Sequence, residues 1–325
     1  MKEQTPFTGK LEHDLALFKD LFRYPENRTL LFRVFETPSL GAKAAVLYID
    51  GVADTTMMEN AIIEPMLQIS SVGKPPKPAE RADFLIDHIL KVANVTKVSN
   101  LEEAAKYMLN GFAVILAEGC VQGITAEVPG FAGRPVMEAK IEQTVKGPKE
   151  SFTESMAANR SLIRKYMRDH RLMCEELTIG AEPEAKVSIM YMDQIVDEEI
   201  VQKVKDRIKQ IESEEVANLT ILEKHIEERP YSLLPSVLAT EKPDRAVAFL
   251  QEGHVILLMD NSPNCLIAPI TFWSLFHTGE DQYLRLPEGN FIRLLRLVAL
   301  FVALLTPSVY ISVSNFHPEM LPTDL

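Results

Sequence analysis

No Cys-x-x-Cys pair occurs in this sequence, and its three cysteines, Cys120, Cys174 and Cys265, are far apart. That excludes a disulfide framework and a zinc ribbon, and fits buried thiols in a reducing compartment. Clustered basic residues are also missing: the net charge is −12, the wrong sign for a nucleic-acid binder. There is no GxGxxG, no GxxxxGK[ST], no HExxH and no GxSxG. The histidines, among them His13, His88, His170, His225 and His254, are not at metal-ligand spacing. No cofactor, metal or catalytic residue is therefore expected. The N-terminus, MKEQTPFTGKLEHDLALF, has no apolar h-region, so a cleaved signal peptide is not expected.

A repeat is present instead. AKAAVLYIDGVAD (Ala42 to Asp54) returns as AKVSIMYMDQIVD (Ala185 to Asp197), at an offset of 186 − 43 = 143 residues. YMLNGFAVILAEGC (Tyr107 to Cys120) returns more loosely as FLQEGHVILLMDNS (Phe249 to Ser262), with Gly111 facing Gly253. Two matched segments in the same order at nearly one offset indicate tandem copies. The 325 residues, 46% hydrophobic, suffice for two domains.

Each copy reads as strand, helix, loop, helix, helix, strand and hairpin. The expected fold class is α/β: two tandem, similar domains, each with a small mixed sheet, joined by a long helix and followed by a transmembrane helix. The expected boundaries are a leader helix over 1–40, domains over 41–148 and 181–290, a connecting helix over 149–180, and a membrane segment with tail over 291–325. Within the first copy, Asp54 or Thr55 caps one helix and Ser99 or Asn100 another. In the second, Val201, Val204, Ile208 and Ile211 share a helix face, and Pro243 opens a helix.

From Leu297 to Phe316 the chain has no charged residue, a run of 20 residues that matches the length of a membrane span. Arg285, Arg293 and Arg296 precede it, and Glu319 and Asp324 follow it. The positive-inside rule then places the N-terminal bulk in the cytoplasm.

Two features suggest function. Asp50 and Asp193 end equivalent strands, where α/β proteins often bind ligands; a paired-carboxylate site stands beside turn or cap roles for both. The segment from Phe152 to Arg168 reads as one helix. It carries an apolar stripe (Phe152, Met156, Ile163, Met167) and an arginine stripe (Arg160, Arg164, Arg168). The arginines suit an anionic lipid surface, a carboxylate-rich neighbouring subunit or the second domain, with a solvated face as the alternative.

The stretch VKGPKESFTESMAANRSLIRKYMRDHRL resembles the hallmark of the A subunit of nutrient germinant receptors of spore-forming bacteria. Val145, Gly147, Pro148, Glu150, Phe152, Asn159, Ile163, Arg164 and Lys165 match it; Lys149 stands where Arg is usual and Ser151 where Gly is common. TIG at Thr178, KVSIMYMD at Lys186, TEKPDR at Thr240, EGHVILLMDNSP at Glu252 and PITFWSLFHTGEDQY at Pro269 match further. The resemblance covers the chain from about residue 40. It implies an integral protein of the spore inner membrane, non-enzymatic, working with a transporter-like B subunit and a lipoprotein C subunit. Such receptors sense amino acids, sugars or nucleosides and trigger ion release, and their A subunits form oligomers. Family members continue through further membrane helices, whereas this sequence ends at Leu325, implying a truncated chain or a shortened paralogue. The alternative reading is a membrane-anchored enzyme or binding protein with a ligand cleft between the two domains.

Overall fold

The computed structural model describes residues 5–68, 75–130, 142, 147–180, 184–211, 216–228, 231–232, 234–276 and 283–316. Val145 of the hallmark, and Glu319 and Asp324 after the apolar run, lie outside the described residues.

The chain makes the same succession of elements twice. The first unit runs α1 (Leu11–Leu21), β1 (Leu30–Thr37), β2 (Ala42–Ile49), α2 (Thr55–Met58), a π-helical turn (Glu59–Ile63), α3 (Glu64–Gln68), α4 (Arg81–His88), β3 (Val95–Val98), α5 (Leu101–Met108), β4 (Phe112–Ala117) and β5 (Gly123–Glu127). The second runs α6 (Met156–Tyr166), β6 (Leu172–Ile179), β7 (Ala185–Met192), α7 (Glu198–Lys209), α8 (Leu219–Ile226), β8 (Leu238–Thr240), α9 (Pro243–Gln251), β9 (Val255–Met259) and β10 (Cys265–Ala268). A 3-10 turn (Phe272–Phe276) and the long helix α10 (Leu286–Phe316) follow.

The sheets have equivalent orders, β1-β2-β4-β5-β3 and β6-β7-β9-β10-β8. Both are antiparallel throughout, not mixed as expected. Strand β3, helix α5 and strand β4 do form a crossover between strands of like direction. Strand β5 then inserts between them and pairs antiparallel with both. A strand–helix–strand pattern implies parallel neighbours only when nothing enters the gap.

Each sheet is covered on both faces, which is why its central strands read as unbroken apolar runs. Ala45, Leu47 and Ile49 pack with α1 and α5; Ala44 and Val46 pack with α2–α4. In the second unit Met190 and Met192 pack with α6 and α9, and Val187 and Ile189 with α7 and α8.

The edge strands β1, β6 and β8 were not foreseen. Strand β1 lies inside the segment expected as a leader helix, and β6 inside the expected connecting helix. The expected long helix is shorter: Ser155 caps it and Met167 leaves it in extended conformation. Helix α6 is thus the counterpart of α1. Both begin with the same device. Asp14 accepts bonds from Thr8 N–H at 2.9 Å and its hydroxyl at 2.8 Å; Asn159 accepts from Thr153 N–H at 2.7 Å and its hydroxyl at 3.3 Å. Leu11 N–H donates to Glu118 at 3.0 Å, and Met156 N–H to Asp260 at 2.8 Å, so each helix start is tied to the end of β4 or β9.

Gly111 and Gly253 both sit at positive φ, +93° and +89°. A Cβ on either would lie 3.1 Å from backbone, Pro129 Cα or Ile195 O, so the turns at these facing positions require glycine.

Candidate functional site at the junction of the two units

Helix α6 packs its apolar stripe into the second unit. Phe152, Met156, Ile163 and Met167 are all buried there, although Phe152 precedes the helix proper. The side of α6 bearing Arg160 and Ser161 meets the first unit. Ser161 donates its hydroxyl hydrogen bond to Gly51 O.

Arg160 and Arg164 are not solvated, whereas Arg168 is exposed. Arg164 is only 2% exposed. Its guanidinium donates to Thr29 Oγ1 at 3.0 Å in the first unit, and to Leu172 O at 2.6 Å and Asp169 O at 3.1 Å in the second. Burial pulls its pKa down to about 10, which leaves it charged at neutral pH. Arg160 bonds Glu176 and reaches Asp50 Oδ2 at 3.4 Å across the junction. Burial pushes the Arg160 pKa down, but the neighbouring Cys174, Glu176 and Asp50 outweigh it, and the net shift is upward. Arg168, past the helix end, donates to Asn110 Oδ1 at 2.5 Å.

Asp50 and Asp193, the candidate carboxylates, both lie at the junction. Each meets an arginine of the other unit: Asp50 meets Arg160, and Asp193 lies 3.1 Å from Arg23. Asn27 completes the junction. Its amide donates to Leu172 O at 3.3 Å and its Oδ1 accepts from Cys174 N–H at 3.3 Å, while Arg28 N–H bonds Cys174 O at 3.1 Å. Asn27 and Thr29 carried no signal in the sequence, because each acts on residues more than a hundred positions away.

The hallmark segment forms a second cluster. Glu150 accepts from Lys165 Nζ at 2.5 Å and Tyr166 Oη at 2.7 Å. Burial raises the carboxyl pKa, and these two donors override it and hold Glu150 below its ordinary value. Pro148 O accepts from Lys242 Nζ at 2.7 Å, and Lys242 is 1% exposed. Its Nζ lies 3.8 Å from Asp244 Oδ1, and Asp244 Oδ2 accepts from Tyr283 Oη at 3.0 Å. Burial, with Asp244 alongside, pushes the Tyr283 phenol up to about 12, so it remains a donor. Gly147 has φ +113°, and a Cβ there would fall 2.7 Å from the Tyr283 ring. Tyr283 lies three residues before the start of α10. The Gly147–Glu150 segment therefore lies between α9 and the approach to the apolar helix. The buried Lys242–Asp244 pair was not foreseen, although TEKPDR contains it.

Among the described residues, no group of three or more His, Cys, Asp or Glu is placed to hold a metal ion. The three cysteines are buried and unpaired with one another. Helix α10 is long and apolar enough to cross a membrane, and its apolar window is not buried against the rest of the chain.

Comparison with known proteins agrees with the hallmark. The uncharacterized membrane protein YfkQ of Bacillus subtilis (strain 168) is 31% identical over 308 residues, covering 92% of this chain and 59% of that protein. Spore germination protein B1 of the same organism is 30% identical over 298 residues, covering 92% and 61%. The chain thus spans about three-fifths of the length of these relatives. In three dimensions it is similar to the crystal structure of the N-terminal domain of the A subunit of the Bacillus megaterium spore germinant receptor GerK3. The TM-score is 0.66 at 20% identity, covering 83% of this chain and 99% of that one. Residues 17–325 match the family model of the Bacillus/Clostridium GerA spore germination protein. The chain belongs to the GerA spore germination protein family.

Proposed function

We propose that this protein is a non-enzymatic subunit of a spore nutrient receptor, and that its two-unit region couples a nutrient signal to the membrane segment. On this reading the two units lie on the cytoplasmic face of the spore inner membrane. The partners are a transporter-like B subunit, a lipoprotein C subunit and further copies of the chain, and the downstream event is ion release. The observation that carries the coupling role is the Gly147–Glu150 segment, held by Lys242 on one side and packed on Tyr283, just ahead of α10, on the other. The junction arginines support it, because they join the units through buried, charge-assisted bonds rather than through a loose linker. A shift at either unit is thereby transmitted to the other as a change of packing.

The test is deletion of the gene in its parent organism, in a strain lacking its other genes of this family. Spores are scored for loss of optical density after addition of amino acids, sugars and nucleosides. The proposal expects that restoring the gene with its partner genes restores a response to at least one nutrient. Spores that stay equally unresponsive with and without it contradict the receptor reading.

A further inference from the structure

The 3-10 turn Phe272–Phe276 carries the chain's single tryptophan, Trp273, and it is 60% exposed. It does not stand alone. The Phe272, Trp273 and Phe276 rings form one cluster, with centroids 5.0, 5.4 and 6.1 Å apart. From Asn261 to Gly279 the sequence has no Asp, Glu, Lys or Arg, in a chain whose net charge is −12. The turn is fixed against α10: Arg296 donates to Phe276 O at 2.8 Å.

That bond sets a depth. Arg296 directly precedes the uncharged run Leu297–Phe316. At 1.5 Å per residue, this run is about 30 Å long, the thickness of a bilayer's hydrocarbon core. Arg296 is then at the headgroup boundary, where arginine is favoured. The aromatic turn bound to it lies at the same level. Tryptophan prefers this layer, because its ring is apolar and its N–H seeks a polar partner. The lack of acidic residues removes the repulsion that anionic lipids exert on the rest of the chain.

We propose that Phe272–Phe276 is a membrane hook: Trp273 inserts into the interfacial layer of the leaflet facing the two units, and gives the second unit a lipid contact separate from α10. This rests on α10 crossing the membrane.

Trp273 is its own probe. The full chain is reconstituted in vesicles of phosphatidylglycerol and phosphatidylethanolamine, with nitroxide labels either near the headgroup or deep in the acyl chain. Alkaline carbonate washing tests the span separately. The hook predicts carbonate-resistant protein, blue-shifted Trp273 emission, stronger quenching by shallow than by deep nitroxides, and weak quenching by aqueous acrylamide. Resistant protein whose Trp273 is quenched by acrylamide and not by lipid labels overturns the hook and leaves the span standing. Stronger quenching by the deep label overturns the interfacial placement. Protection from both quenchers also overturns it, by showing that protein covers Trp273. Release by carbonate overturns the span, and the hook with it.

Discussion

Arg164 shows how much a single side chain holds at the junction. Its donors satisfy Leu172 O, Asp169 O and Thr29 Oγ1 in a buried place. Arg164→Ala removes all three bonds and leaves a cavity, at a cost of about 3 kcal/mol. Thermal unfolding of the detergent-solubilised chain is expected to shift down by about 6–10 °C. Arg164→Lys recovers little, since an ammonium lacks the planar fork that spans separated acceptors. A melting point equal to wild type for Arg164→Ala contradicts this account of the junction. Glu150 gives a pH signature. Its pKa is held below the ordinary carboxylate value in the fold, so its stabilising contribution is present above that ordinary value and is lost as pH falls through the lower, folded one. Acid titration is expected to loosen the hallmark segment, and Glu150→Gln is expected to flatten that part of the pH–stability curve. The arginine spacing was legible in the sequence. Its partners Asp50, Glu176 and Thr29 were not, because periodicity shows which residues share a face and not what the face meets.

Among the elements, the central strands β2, β4, β7 and β9 were legible as apolar runs, and the caps at Asp54 and Asn100 hold as hydrogen bonds to the following turn. The edge strands β1 and β6 were not. LLFRVFET and LMCEELTI carry Arg33, Glu36, Glu175 and Glu176 among their apolar residues, since an edge strand is only partly covered, and such a mixture also fits a helix. Helix α6 was read too long because the run has no glycine or proline to mark its end. What starts it is specific: Asn159 binds Thr153 from both ends of its amide, with Nδ2 donating to Thr153 O at 2.6 Å. Asn159→Ala is expected to cost about 1–2 kcal/mol and to raise amide exchange over residues 152–156 while the first unit stays protected. Unchanged exchange in that segment rules out the anchoring role.

At the scale of the whole molecule, the repeat is the feature the sequence showed best, and the structure extends it to include α1, β1, α6 and β6. The two units place equivalent strand-end aspartates, Asp50 and Asp193, each against an arginine of the other unit. The second unit alone carries the hallmark segment, and that segment touches the approach to α10. The central claim is that this contact relays a signal. Gly147→Val is its most direct probe: the new side chain collides with the Tyr283 ring at a backbone angle valine resists, while the junction bonds are untouched. The decisive measurement is the germination rate of spores whose sole copy carries Gly147→Val, with the protein's amount in the spore membrane checked by immunoblot. The account predicts normal amounts and a rate reduced on the order of tenfold, which corresponds to a coupling loss of about 1.4 kcal/mol. Normal amounts with an unchanged rate would contradict it.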